Sequence, residues 1–455
     1  MPAAGAPSML EALGYRGKLA ELLRSLGIDV YDRIAIERDG VVYEGILMPK
    51  PELSHPETII IKLDNGYNVG VRVTPGTRIR LVRKGKPSLP VPPKIPLKLR
   101  EDLPKVSILG TGGTIASRVD YKTGAVYPAF TAEDLYALVP ELADLARLEM
   151  ELLFNIFSED MNPRRWEQIA RAAARHIESG ADGVVIAHGT DTMGYTAAAL
   201  SFALRNLPVP VVLVGAQRSS DRPSSDAALN LISAVNVAAN APFAEVVVVM
   251  HGETSDSYCL AHRGTKVRKC HTSRRDAFRS INAKPLAKVY GAGKIELLRR
   301  DYVPRDKSRQ LELRAKFDEK VALVKTYPGI PAEIIDFLVD RGYHGIVIEG
   351  TGLGHAPEQL LPAIKRAIEE GVAVVMTSQC LWGRINMNVY RRGVELLRMG
   401  VIPGEDMLPE TALVKLMWVL AQTRDLKEVR RLMLTNIAGE IEPRSAPSYY
   451  PPMEV

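Results

Sequence analysis

The stretch PRRWEQIARAAARHIESGADGVVIAHGTDTMGYTAAALSFALRNLPVPVVLVG, residues 163–215, decides how this chain folds. It opens on a helix with proline near its start and Gly180 as its stop. The continuous apolar run VVIAHG then reads as a buried strand, TAAALSFALRNL as a second helix, and PVVLVGAQ as the next strand. The rhythm extends outward, to the strand VSILG upstream and to the helix SDAALNLISAVNVAAN and strand VVVVMHG downstream. Fully apolar strands alternating with helices predict a parallel sheet covered on both faces. A charged, irregular segment near residues 297–318 interrupts the pattern. A second run follows: VALVKTYPG, PAEIIDFLVDRG, HGIVIEG, PEQLLPAIKRAIEEG and VAVVMTSQ.

The first hundred residues read differently. After a short amphipathic helix ending near Gly27, Ile34 and Ile36 alternate with polar residues up to an Asp39-Gly40 turn, and VVYEGILM returns. ETIIIKL then meets Asp64-Asn65-Gly66, and YNVGVRV returns. These are hairpin signals without intervening helices, and they predict a small β-barrel. The repeated prolines of KGKPSLPVPPKIPLKLREDLP deny helix and sheet alike and predict a semi-rigid linker. The division expected is therefore a barrel over residues 1–83, a linker over 84–104, and two α/β domains over 105–310 and 311–455.

Composition fits this picture. With 455 residues, 46% hydrophobic and 25% charged, the chain is long enough for several cores. No apolar run reaches membrane-spanning length, and MPAAGAPSML lacks the apolar stretch of a secretory signal. Three widely spaced cysteines, Cys259, Cys270 and Cys380, make neither a disulfide framework nor a metal clip. A cytoplasmic location is expected, with no metal bound. The net charge of +6 permits an acidic partner without demanding one. The basic stretch from Arg78 to Lys86 reads better as a solvated strand and linker than as a phosphate-binding patch.

Ligands of open parallel sheets bind at the carboxyl ends of the strands. The first core strand runs into Gly110-Thr111-Gly112-Gly113-Thr114-Ile115, whose glycines offer backbone amides at close range. It is no dinucleotide fingerprint, since Ile115 stands where GxGxxG requires glycine. The next core strand runs into His188-Gly189-Thr190-Asp191-Thr192, a hydroxyl beside a carboxylate. Asp191 could equally cap a helix. Lys269 lies in a crowd of cations, RGTKVRKCHTSRR, where a neutral amine could take a proton from a hydroxyl. Most lysines in such runs are merely solvated. No GxSxG elbow, HExxH helix or GxxxxGK[ST] loop is present.

Taken together, TGGTIA, HGTDTM and the lysine segment resemble the asparaginase/glutaminase family, in the family's order, over about residues 105–435. Ser158-Glu159-Asp160-Met161-Asn162 resembles that family's substrate-holding loop. The resemblance implies Thr111 as the nucleophile, with Thr190, Asp191 and Lys269 as the second polar group around the substrate. It implies that Lys269 and Asp191 tune Thr190 for proton transfer, and that Ser158 and Asp191 grip the substrate's α-amino and carboxylate groups. Glu159 departs from the glutamine of many relatives, and Tyr127 matches the family's mobile tyrosine loosely. Lys266, three positions before Lys269, is the comparison: its removal is expected to matter less.

The strings YRGKLAELL, VYDRIAIERDGVVYEGILMP, IIIKLDNGYNVGV and KVRKCHTSRRDAFRSIN resemble the GatD family of archaeal glutamyl-tRNA(Gln) amidotransferase subunits, from end to end of the chain. This resemblance implies a glutaminase whose ammonia, drawn from glutamine or asparagine, goes to a GatE-like partner subunit. With ATP and Mg, that partner converts glutamate on tRNA(Gln) to glutamine. It also implies a heterotetramer holding two copies of each subunit. The chain itself shows no nucleotide-binding loop, and no cofactor is expected in it. An independent cytosolic asparaginase with an accessory barrel is the alternative, and a silent RNA-binding scaffold is a third reading.

Overall fold

The computed structural model describes residues 9–50, 54–64, 68–85, 100–112, 117–119, 126–128, 135–136, 139–218 and 224–450. Residues 86–99 of the proline-rich linker fall outside them, as do residues 65–67 of the second expected hairpin turn.

The N-terminal part is an antiparallel five-stranded sheet. Its strands, in spatial order, are Asn68–Arg72, Thr58–Lys62, Val41–Leu47, Arg33–Arg38 and Arg78–Arg83. Among the described residues no ladder joins the two end strands. The Asp39-Gly40 turn is a two-residue hairpin loop between the paired Arg38 and Val41. Both turn residues have positive φ, 52° and 78°, the pairing a type I′ turn requires and a reason for glycine at the second position. One face of the sheet packs Ile34, Ile36, Ile59, Ile61 and Leu47 against Leu19 and Leu23 of the helix Gly17–Ser25. On the last strand Arg78, Arg80 and Arg83 are exposed, while the neighbouring Lys84 pairs with Asp32 at 2.9 Å.

The next unit is an eight-stranded sheet. Its order is Ile295–Leu297, Ala287–Val289, Cys259–Arg263, Val246–His251, Val211–Val214, Gly183–Ala187, Lys105–Gly112 and Arg147–Ile156. The last five run parallel: four are the strands the rhythm predicts, and the edge strand Arg147–Ile156 is one the sequence reading did not name. The first three are an antiparallel extension that the sequence reading did not foresee. Their three to five residues are too short to display a period.

Burial explains the unbroken apolar strands. Val184 and Ile186 enter one core with the helices Pro163–Glu178 and Met193–Ala203. Val185 and Ala187 enter the core on the opposite face, with Ala227–Asn240. The helix Pro163–Glu178 begins where the Asn162 side chain accepts from the Arg165 amide, and the chain leaves it through Gly180 at φ 85°.

The C-terminal unit is a parallel four-stranded sheet of Val321–Lys325, Gly345–Gly350, Ala373–Ser378 and Ile402–Pro403. Its helix Pro409–Leu420 sends Trp418 against Phe202, with ring centroids 5.9 Å apart, so the two α/β units share one core. The buried Lys266–Asp406 pair, at 2.7 Å, crosses the same seam.

Candidate active site

Thr111 sits at the carboxyl end of Lys105–Gly112 and is 2% exposed. Its hydroxyl donates to the Ala187 carbonyl of the neighbouring parallel strand at 2.9 Å. Gly112 follows at φ 111°, and a β-carbon there would meet the Ile156 backbone oxygen at 2.2 Å. Only glycine lets the chain turn out of the sheet at that point. Residues 113–116 lie outside the described residues.

One strand over, Gly183–Ala187 delivers His188, Gly189, Thr190 and Asp191 to the same edge of the sheet. His188 is fully buried, and burial pushes its imidazole down to about 4, so it is neutral at neutral pH. The Gly189 carbonyl can only accept, so His188 Nδ1 donates to it at 2.6 Å. Nε2 then accepts from the Thr196 hydroxyl at 2.9 Å, and Thr196 in turn accepts from the Trp166 indole at 3.1 Å.

Lys269 approaches from a separate hairpin, Val267–Lys269 paired with Phe278–Ser280. Its Nζ donates to Thr190 Oγ1 at 2.9 Å and to Asp191 Oδ1 at 2.8 Å. Thr190 is buried, the lysine is largely buried, and Asp191 is exposed. A hydroxyl, an amine and a carboxylate thus meet in one contact, the arrangement that moves a proton on and off an oxygen.

Ser158 opens the short 3-10 turn Ser158–Asp160 after the edge strand and is buried against Gly189, where an added β-carbon would meet Ser158 Cβ at 2.7 Å. The Thr192 hydroxyl donates to the Ser158 carbonyl at 2.6 Å, fastening this turn to the Thr190 loop. Glu159 is exposed. Tyr127 falls in the strand Val126–Pro128, where it pairs with Arg118, and its side chain lies outside the described residues.

The structure therefore brings together Thr190, Asp191 and Lys269, and places Thr111 at the end of the adjacent strand and Ser158 after the edge strand beyond it. Lys266, the comparison residue, is fully buried, with its amine on the Asp406 carboxylate. Lys266 belongs to the turn that enters the strand Val267–Lys269, its amide on the Arg263 carbonyl at 3.0 Å, so the two lysines leave the backbone in different surroundings. Two supporting groups escaped the sequence reading. Gly215 ends the strand beyond Thr190, and a β-carbon there would meet Thr190 Cγ2 at 2.9 Å. Asn230 donates to the Gly215 carbonyl at 2.9 Å from the buried helix behind it. A tight turn at a strand's end was the only available signal for the first, and none marked the second. Among the described residues no cluster of His, Cys, Asp and Glu could hold a metal, and no helix is long and apolar enough to cross a membrane.

Comparison with known proteins bears on this geometry. Residues 105–302 match the family described as asparaginase, N-terminal, and residues 320–433 the glutaminase/asparaginase C-terminal domain. Residues 28–82 match the GatD N-terminal domain. The chain is 62% identical to the GatD subunit of the glutamyl-tRNA(Gln) amidotransferase of Pyrococcus furiosus, over 95% of this chain and 99% of that protein. Its identity to the corresponding subunit of Methanopyrus kandleri is 57%, over 94% and 95%. Among solved structures, the thermostable L-asparaginase of Thermococcus kodakarensis superposes with a TM-score of 0.67 at 35% identity, covering 74% of this chain and 99% of that one. L-asparaginase I of Vibrio cholerae gives 0.65 at 34% identity, covering 75% and 99%. The asparaginases thus leave about a quarter of the chain unmatched, while the amidotransferase subunits match it nearly throughout. On both grounds, the chain belongs to the GatD family of glutamyl-tRNA(Gln) amidotransferase subunits.

Proposed function

We propose that the chain is the amide-hydrolysing subunit of a tRNA-dependent amidotransferase, releasing ammonia from glutamine or asparagine for a partner subunit. The observation that carries this reading is the Lys269 amine, held at 2.9 Å from Thr190 Oγ1 and 2.8 Å from Asp191 Oδ1.

In the proposed reaction Thr111 Oγ1 gives up its hydrogen bond to Ala187 and attacks the side-chain amide carbon. Its proton is relayed through Thr190 and Lys269 to the departing nitrogen. The C–N bond breaks, ammonia leaves, and an acyl ester remains on Thr111. Water, deprotonated by the same group, hydrolyses the ester to the free carboxylate and restores the threonine. Ser158 and Asp191 hold the substrate's α-amino and carboxylate groups, and Glu159 and Tyr127 are further substrate-binding candidates. No step calls on a cofactor in this chain.

The partner, a GatE-like subunit in a cytoplasmic assembly of two copies of each chain, uses ATP and Mg to convert glutamate on tRNA(Gln) to glutamine. Ammonia released into water at neutral pH is mostly ammonium and no nucleophile, so such a subunit is expected to idle until its partner engages the charged tRNA. In this proposal the chain divides into an N-terminal β domain, a proline-rich linker and two α/β domains, and the first of these serves assembly or coupling. The independent asparaginase reading would leave that domain without a role.

The test is glutamate release from glutamine by the full-length chain and by residues 91–455, each with and without partner and glutamyl-tRNA(Gln). The expected outcome is low release by the isolated chain, a rise with partner and tRNA, and a weaker rise after truncation. An isolated chain already at its maximal rate would return the protein to the independent asparaginases.

A further inference from the structure

Thr190 and Lys269 stand 79 residues apart in the chain, yet their contact is made to 2.9 Å. The hairpin under Lys269 and the strand under Thr190 share no ladder, so something else must fix their spacing. The last residue of strand Val246–His251 supplies a path. His251 is fully buried, and both of its ring nitrogens face acceptors. Nδ1 lies 2.6 Å from Asn230 Oδ1, and Nε2 lies 3.0 Å from Asp256 Oδ1. The Asn230 amide is oriented by its own donors, which go to the Gly215 carbonyl at 2.9 Å and to Asp226 at 3.0 Å. Asp226 accepts from the backbone amides of Gln217 and Arg218 at 2.9 Å each, fixing the turn that Gly215 begins. Gly215 rests on the methyl of Thr190. At the other end Asp256 pairs with Arg275 at 2.6 Å, six residues beyond Lys269 on the same segment.

The path therefore closes on itself. It runs from Lys269 along its own segment to Arg275, through Asp256, His251, Asn230 and Gly215 to Thr190, and back to Lys269 by the site's own hydrogen bond. We propose that His251 is a positioning residue, the buried link that sets the distance between Thr190 and Lys269. Only one end is open to solvent: Asp256 is 65% exposed, whereas Asn230 and His251 are fully buried. A group meeting Asp256 or Arg275 at the surface would thus act on the Thr190–Lys269 contact through His251. This rests on the reading of those two residues as the proton-handling group.

The test is a cycle of variants in the full-length chain with its partner subunit, reading kcat and KM for glutamate release. Asp256→Ala lies on the surface and should fold, which a melting temperature close to the parent's will register. It is expected to lower kcat by about tenfold or more while KM stays within about twofold, since a small misplacement of reacting groups costs rate rather than ground-state binding. Asp256→Asn keeps an oxygen for His251 Nε2 and should recover most of the rate. In a His251→Leu background, itself slow, Asp256→Ala should add nothing. The proposal is overturned if Asp256→Ala keeps its kcat, or lowers it as much without His251 as with it. Thr190→Ala is the separate control: if that variant turns over normally, the reading of the site fails, whatever His251 does.

Discussion

Lys266 and Lys269 come from one short basic segment, and the molecule puts them to opposite uses. Lys266 is sealed in the seam between the two α/β units, its amine on a buried carboxylate. Burial alone would drive this amine toward its neutral form, and Asp406 opposes that. Lys269 stands at the carboxyl-end rim of the eight-stranded sheet, its amine shared between a buried hydroxyl and an exposed carboxylate. Residue type and local charge are the same at both positions, so partner and burial decide the role. The buried pair is closed off by other groups of the protein, Arg384 and the Glu442 amide on Asp406, and holds structure. An amine with a hydroxyl beside it and an opening to solvent can do chemistry.

The largest effect that separates the two regions is expected at Lys269. Lys269→Met should reduce glutamate release by about 10²–10⁴-fold, the range for losing a positioned proton-transfer group, with the melting temperature nearly unchanged. Rate and melting curve together check this. Lys266→Met should do the reverse. Leaving the buried Asp406 with only the more distant Arg384 and the Glu442 amide should cost about 3 kcal/mol of stability, seen in denaturant unfolding, while turnover per folded molecule changes little. Restoring an apolar match with Asp406→Leu in the same chain should recover part of that loss. A Lys266→Met protein that is stable but inactive would erase the distinction.

Acid sharpens the comparison, because each region holds a buried neutral histidine. His188 lies beside Thr190 and is pushed down to about 4 by burial. His262, bonded to Ser280 on the strand that pairs with Val267–Lys269, is pushed to about 3 by burial and, less, by Arg279. Unfolded histidines protonate near 6.5, while these folded ones resist. Their neutral burial therefore costs nothing above that pH and destabilises the fold as pH falls below it. By pH 4 each should remove about 3 kcal/mol of stability. Melting curves between pH 8 and pH 4 should flatten in His262→Gln, and an unchanged slope would count against this account.

The smallest effect is expected far from both lysines. Gly40→Ala forces a side chain to φ 78° in the N-terminal hairpin and should cost that domain about 1 kcal/mol. Glutamate release by the isolated chain should stay unchanged, and a loss there would tie the small domain to the chemistry itself.

What the sequence made legible follows from what periodicity and turn chemistry encode. The apolar strand at 183–187 and the helices beside it announce themselves because both faces are buried, and Asp39-Gly40 because its turn type admits few residues. Thr111, Thr190 and Lys269 stood out through short motifs at strand ends. The three antiparallel strands that widen the sheet were hidden, since three to five residues carry no usable period. The fate of Lys266 was hidden too, because its partner Asp406 is 140 residues away. The same holds for His251, whose contacts with Asn230 and Asp256 exist only once the strand, helix and loop have packed.

If the protein's role is to supply ammonia, a chain without its nucleophile should fail only where the nitrogen must come from glutamine. Assemble the Thr111→Ala chain with its partner subunit and glutamyl-tRNA(Gln), and measure formation of glutaminyl-tRNA with glutamine or with ammonium chloride as the nitrogen source. The account predicts no product from glutamine and near-normal product from ammonium, since only the release of ammonia has been removed. Product formed from glutamine at the wild-type rate would contradict it.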